Sequence, residues 1–286
     1  MGNHRRNRSH LGIASTLVAL NTVTVKTYKP PIALTGTPRA QRRPVRIALP
    51  QKQSIAAPSL RKTQVWVVIA AYNESSRITA TLRGLHEAGY TNIVVVDDGS
   101  KDDTAREAAR SDITVLRHPI NCGQGAALQT GIDFAISRDA EIVVTFDADN
   151  QHDAKEIDRL VRPVQEGRVD VVLGSRFAGK TVAMPTSRRL ILLGATWYTR
   201  LTTRLSVSDA HNGFRAFSRR AMQTIRIRQP RMAHASEILE EIARHELSWQ
   251  EAPVTIHYST DTLAKGQSSW DAIRIMGQLF LGRFVR

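Results

Sequence analysis

From residue 65 onward the chain alternates short apolar runs with longer stretches of helical spacing. The apolar runs are VWVVIAAY (65–72), NIVVVDDGS (92–100), ITVLRH (113–118), EIVVTFDAD (141–149) and DVVLGSRF (170–177). Continuous rather than alternating hydrophobicity fits strands buried on both faces of a parallel sheet. Between them lie ESSRITATLRGLHEAG (74–89), KDDTAREAAR (101–110), GQGAALQTGIDFAISR (123–138) and AKEIDRLVRPVQEG (154–167), which carry helical spacing, and each ends at a glycine or an arginine. Strands alternating with helices predict an α/β fold with a mainly parallel sheet and helices on both faces.

In such a sheet ligands bind beyond the carboxyl ends of the strands. The polar residues of this chain gather there: Asn73 and Glu74 after the first run, Asp97 and Asp98 after the second, Asp147 and Asp149 after the fourth, Ser175 and Arg176 after the fifth. In an extended segment, residues two apart point the same way, so Asp147 and Asp149 face one spot. Two bare carboxylates about 4 Å apart repel by about 4 kcal/mol at an effective dielectric of about 20. A hard divalent cation, Mg²⁺ or Mn²⁺, is the natural partner for such an all-oxygen pair.

Charge divides the chain. Of its 40 Lys and Arg, 12 lie in residues 1–62, which contain no acid, and the remaining 28 face all 26 acidic residues. The net charge of +14 therefore belongs to a proline-bearing extension, read as disordered. Its apolar piece LGIASTLVAL (11–20) also fits a targeting segment, and its basicity fits a tether to nucleic acid or anionic lipid. The near-neutral body argues against a specific nucleic-acid surface. Cys122 is the sole cysteine, so no disulfide forms within the chain, and it reads as a packing residue. No uninterrupted apolar stretch approaches the ~20 residues of a spanning helix.

The ordered blocks IAAYNE, VVVDDGSKDDT, NCGQGAALQTG, FDADNQH, GSRF, DAHNGFRAF, SEILEEIAR and EAPVTIHY…KGQSS resemble the family 2 glycosyltransferases of the GT-A fold, and within them the dolichyl- and polyprenyl-phosphate sugar synthases. The resemblance spans about residues 65–267. It implies transfer of a sugar from a nucleoside diphosphate donor with inversion, by a GT-A domain over 63–267. Outside that domain lie the basic extension over 1–62 and residues 268–286, where Trp270, Ile273, Met276, Leu279 and Phe280 are spaced for an amphipathic helix. Asp147, Asp149 and Gln151 would be the metal ligands, and a bound cation would stabilise the charge that develops on the departing diphosphate. Ala71, Tyr72, Glu74, Asp97, Asp98, Gly123, Gly125, Asp147 and Ala148 would frame the nucleotide sugar. His152 reads as a polar loop residue or an outer ligand.

The acceptor side falls to the second half. Asp209 would lie near the acceptor, with Glu237 a second acid. Arg176 would balance phosphate charge or pair with a rim aspartate. Arg188, Arg189 and Arg215 would hold a lipid phosphate, and Lys265 is retained in a KGQ form where the lipid-phosphate synthases differ. The segment 185–205 has a large apolar face edged by arginines and fits either a membrane-interface helix or a core helix. The expected partners are a nucleoside-diphosphate sugar and a lipid-phosphate or glycan acceptor, with peripheral membrane contact at the cytoplasmic face. Transfer to a sugar hydroxyl, a sugar-phosphate nucleotidyltransferase and a non-catalytic binding protein are the alternatives. The nucleotidyltransferase would want a Gly-rich basic first loop, which AAYNESSR does not supply.

Overall fold

The computed structural model describes residues 62–182, 186–229 and 233–257. The extension before Lys62, the expected helix over 268–286 and Lys265 lie outside the described residues. Seven strands form one sheet in the order β3-β2-β1-β4-β6-β5-β7. They are β1 (Val65–Ala71), β2 (Ile93–Asp97), β3 (Thr114–Arg117), β4 (Ile142–Asp147), β5 (Val171–Val182), β6 (Arg215–Ser218) and β7 (Trp249–His257). Neighbours pair in parallel except at β6, which runs antiparallel to both β4 and β5. All five apolar runs became strands, and the helical stretches became α1 (Ile78–Glu87), α2 (Thr104–Ala108), α3 (Gln124–Ser137) and α4 (Ile157–Gln165).

Strand alternation sends residues to two cores. Val65, Val67 and Ile69 of β1 join Ile78, Leu82 and Leu85 of α1 and Ile157, Leu160 and Val161 of α4. Val68, with Val94 and Val96 of β2, packs on the other face against Ala127, Leu128 and Ile132 of α3. That second face is completed by α6 (Arg219–Thr224) and α7 (His234–Arg244) through Met222, Ile238, Leu239 and Ile242. Both faces of the sheet are therefore covered, as the continuous apolar runs require. Parallel register then aligns the strand ends. Ala71 pairs with Asp97, and Ala70 with Asp147, so the acids that terminate β2 and β4 flank the end of β1.

Segment 185–205 folds largely as α5 (Thr186–Thr203). Its buried face is polar, built from Thr196, Thr199 and Thr203, while Leu190, Leu193, Trp197 and Leu201 are 66%, 42%, 66% and 67% exposed. The core reading of this helix gives way to one with its apolar stripe turned outward.

Candidate active site

β4 delivers Asp147 to the rim, the turn that follows carries Asp149 within range of its charge, and Asn150 in the left-handed region (φ 59°) leads on to Gln151. Room for the Asp147 carboxylate comes from Gly213. A Cβ there would lie 2.6 Å from one carboxylate oxygen and 3.0 Å from the other. His152 Nε2 sits 3.0 Å from Asp147 Oδ2. The imidazole is buried between Phe146 and Phe214, with ring centroids 5.6 and 5.0 Å away. This differs from a polar loop residue: His152 joins the sheet through a bridge to Ile256 and fixes Asp147 from behind.

The two carboxylates divide their protons. Burial favours the neutral form of Asp147, but the hydrogen bond and charge of His152, with His234 and Arg176 nearby, outweigh it and hold this acid below the usual range. Burial, then the charge of Asp147, pushes Asp149 up to about 6. A divalent cation beside the two carboxylates would offset both the burial and the mutual repulsion that raise Asp149. Gln151 donates its backbone N–H to Asp149 Oδ1 (3.2 Å) and its carbonyl accepts from His257 N (3.0 Å), which ties the loop after β4 to β7. Asp147, Asp149 and Gln151 thus offer only oxygen donors to an ion, and they fit Mg²⁺ or Mn²⁺.

The donor-side residues gather at the ends of β1 and β2. Ala71 O accepts from Asp98 N (2.8 Å), and Ala148 O accepts from the Thr81 hydroxyl (2.9 Å). Tyr72 is 41% exposed beside them, while Glu74 pairs with Arg77 at 3.2 Å. Asp97 is buried against Arg117 Nε (3.1 Å) and accepts from Ser100 N (3.2 Å). Asp98 accepts from Cys122 N (2.9 Å) and Gly123 N (2.7 Å), holding the entry to α3 against the rim. Gly123 adopts φ 95°, which a side chain would strain. The next residue, Gln124, reaches to 3.5 Å from Asp147 Oδ1 and so links the α3 entry to the end of β4. Gly125 is expected to permit close backbone approach beside the nucleotide sugar. Instead a Cβ there would lie 2.3 Å from Gln229 O, so it makes room for the protein's own backbone.

On the acceptor side the geometry redistributes the roles. Asp209 and Arg176 are both buried and bonded, Oδ2 to Nε at 2.6 Å and to the Arg176 backbone N at 3.1 Å. Removing one member of such a buried pair costs about 3–5 kcal/mol. Asp209's other oxygen accepts from His211 N (3.3 Å). Glu251, which sequence reading passed over, accepts from Ser208 N (2.6 Å) and Asp209 N (3.2 Å) and orients this loop from β7. Arg215 was expected to hold an acceptor phosphate. Its guanidinium instead donates to the carbonyls of Asn212, Ala210 and Ala235, pinning the loop before β6 to α7. Glu237 likewise accepts from Arg228 N and Gln229 N. Burial drives His211 down to about 4, so its imidazole is neutral near pH 7, and its Nδ1 has no partner among the described residues. Arg189 is exposed in the first turn of α5, and the side chain of Arg188 lies outside the described residues.

Residues 66–226 match the family model described as Glycosyl transferase family 2. The chain belongs to this family. As a family 2 glycosyltransferase it has relatives across much of its length. An uncharacterized protein of Methanocaldococcus jannaschii is 34% identical over 235 residues, 81% of this chain and 97% of that protein. The UDP-N-acetylglucosamine–dolichyl-phosphate N-acetylglucosaminyltransferase of Methanococcus voltae is 29% identical over 76% of this chain and 95% of its own. The polyprenol monophosphomannose synthase of Mycolicibacterium smegmatis is 34% identical over 58% and 66%. Among solved structures, glucosyl-3-phosphoglycerate synthase of Mycobacterium tuberculosis with Mn²⁺, UDP and glucosyl-3-phosphoglycerate superposes with a TM-score of 0.56 at 21% identity, covering 73% of this chain and 77% of that one. That likeness establishes the GT-A type of fold.

Proposed function

We propose that this glycosyltransferase moves a sugar from a nucleoside diphosphate donor to a polyprenyl phosphate, with inversion and with help from Mg²⁺ or Mn²⁺ bound at Asp147, Asp149 and Gln151. The observation that carries the metal part of the reading is the placement of Asp147 and Asp149 together where β4 leaves the sheet, close enough that the charge of Asp147 raises the pKa of Asp149. A divalent ion there supplies Lewis-acid stabilisation of the charge growing on the diphosphate. Asp97 and Asp98, at the adjoining strand end, hold the loops that would enclose the nucleotide.

The acceptor follows from Asp209. A sugar hydroxyl needs a free carboxylate to take its proton, a contribution of about 10²–10⁴ in rate. Asp209 is engaged at both oxygens, Oδ2 by Arg176 Nε and backbone N and Oδ1 by His211 N, which argues against it as that base. A lipid phosphate is already anionic: its oxygen attacks the anomeric carbon, the bond to the diphosphate breaks, and no proton moves. The Methanococcus and Mycolicibacterium relatives are named for lipid-linked products, which supports the same acceptor class. The outward stripe of α5, with exposed Arg189, Arg200 and Arg204 at its edges, suits an anionic membrane surface, where the lipid acceptor resides. Among the described residues no helix is long and apolar enough to cross a membrane.

The test is an acceptor panel. Purified protein with Mn²⁺ is given UDP-N-acetylglucosamine or GDP-mannose, and polyprenyl phosphate, polyprenol or 3-phosphoglycerate. Transfer to the lipid phosphate alone is the expected result. Transfer to polyprenol or phosphoglycerate, with none to polyprenyl phosphate, would replace this reading with hydroxyl glycosylation.

A further inference from the structure

Beside the all-oxygen pair lies a second cluster of different chemistry. Asp98 ends the β2 rim, His118 follows β3, and Cys122 precedes α3, with one ligand atom from each lying within 4.8 Å of the others. His118 Nδ1 is 2.8 Å from Asp98 Oδ1, and its Nε2 is 3.0 Å from the Thr130 hydroxyl. Asp98 is buried, His118 half-buried and Cys122 exposed, so an ion from solvent would arrive on the thiol side. The backbone N–H groups of Cys122 and Gly123 hold the Asp98 carboxylate in place.

We propose that Asp98, His118 and Cys122 form a second cation site, selective for a borderline-soft divalent ion such as Zn²⁺. Thiolate, imidazole nitrogen and carboxylate are the zinc ligand set, and three protein ligands leave one position for water. Mg²⁺ and Mn²⁺ prefer the oxygens of Asp147, Asp149 and Gln151, so the two sites sort ions by softness. The Thr130 hydroxyl serves both states. Without an ion, the Nδ1–H of His118 donates to Asp98 and Nε2 accepts from Thr130. With the ion on the Nδ1 lone pair, the ring proton sits on Nε2 and donates to Thr130, the outer-shell bond that fixes a ligating imidazole. The Cys122 thiol gives its proton to solvent, so each ion bound releases one proton. If Asp98 contacts the nucleotide, a consequence resting on the proposed function, Zn²⁺ at this site competes with the donor.

Because Cys122 is the sole cysteine, any thiolate–metal signal reports this site. Reduced, chelator-treated full-length protein is saturated with Mg²⁺ and then titrated with Co²⁺, with no donor or acceptor present. The expected result is a near-ultraviolet thiolate-to-cobalt charge-transfer band that saturates at one equivalent and is erased by Zn²⁺. The band should vanish in Cys122→Ser, weaken in apparent affinity at least about tenfold in His118→Gln, and persist in Asp149→Asn. No band in the unaltered protein, or an undiminished affinity in His118→Gln, would overturn the site. The readout is independent of sugar transfer, so it can fail while the proposed function stands, or the reverse.

Discussion

Asp149 is the residue whose protonation most directly reports the cation. Burial and Asp147 raise its pKa from 3.8 to about 6. Its proton therefore favours the folded state fully below the unfolded value, and that contribution is lost as pH rises through about 6. A divalent ion competes for the same oxygens, so the stabilisation by Mn²⁺, read as a thermal shift, should be small near pH 5 and grow to a plateau above about pH 7. A shift of equal size at both ends would separate the ion from Asp149. Gly213 gives a second handle at this scale. A Cβ there would come within 2.6 Å of an Asp147 carboxylate oxygen, so Gly213→Ala should displace that acid. We expect a loss of transfer of at least about tenfold, the scale on which ligand positioning acts. Circular dichroism should show the fold retained, and wild-type turnover in this variant would free Asp147 from its assigned position.

At the scale of elements, strands were legible because each is an apolar run, almost wholly buried in β1, β2 and β4 and half-buried in the edge strand β3, and all five expected strands formed. The acids at their ends were legible for the same reason, since a parallel sheet puts successive strand ends on one rim. Less visible were β6 and β7, short or polar strands whose place depends on pairing with β4 and β5 rather than on local pattern. Partner choice was hidden too. The sequence placed Arg176 and Asp209 in separate blocks 33 positions apart, and only the fold makes them an ion pair. His152 was misread because a histidine after an acidic turn looks solvated, whereas Phe146 and Phe214 enclose it. α5 shows the limit of periodicity: spacing revealed an apolar face but not which way it points. Its stripe Leu190–Leu193–Trp197–Leu201 runs about 16 Å along the helix. Replacing Leu190, Trp197 and Leu201 by Ser should reduce binding to anionic vesicles in flotation at least about tenfold, given about 1.5–3 kcal/mol per large apolar side chain buried. Release of the sugar to water should not change, and unaltered flotation would remove α5 from the membrane contact.

For the molecule as a whole, the sheet brings together three things that lie far apart in sequence: the loops after β1 and β2, the carboxylate pair of β4, and the buried Arg176–Asp209 pair. The account requires that the carboxylate pair act through a divalent ion and that the chemistry depend on it. The most direct measurement is single-turnover sugar transfer to polyprenyl phosphate by the unaltered protein and by Asp149→Asn, each with Mn²⁺ and with EDTA, using the donor that the acceptor panel selects. A neutral amide binds the ion more weakly than a carboxylate while preserving shape. The unaltered protein should lose transfer by orders of magnitude in EDTA and recover it with Mn²⁺, and Asp149→Asn should be slow in both. Rapid transfer by the unaltered protein in EDTA, together with rapid transfer by Asp149→Asn, would contradict the account.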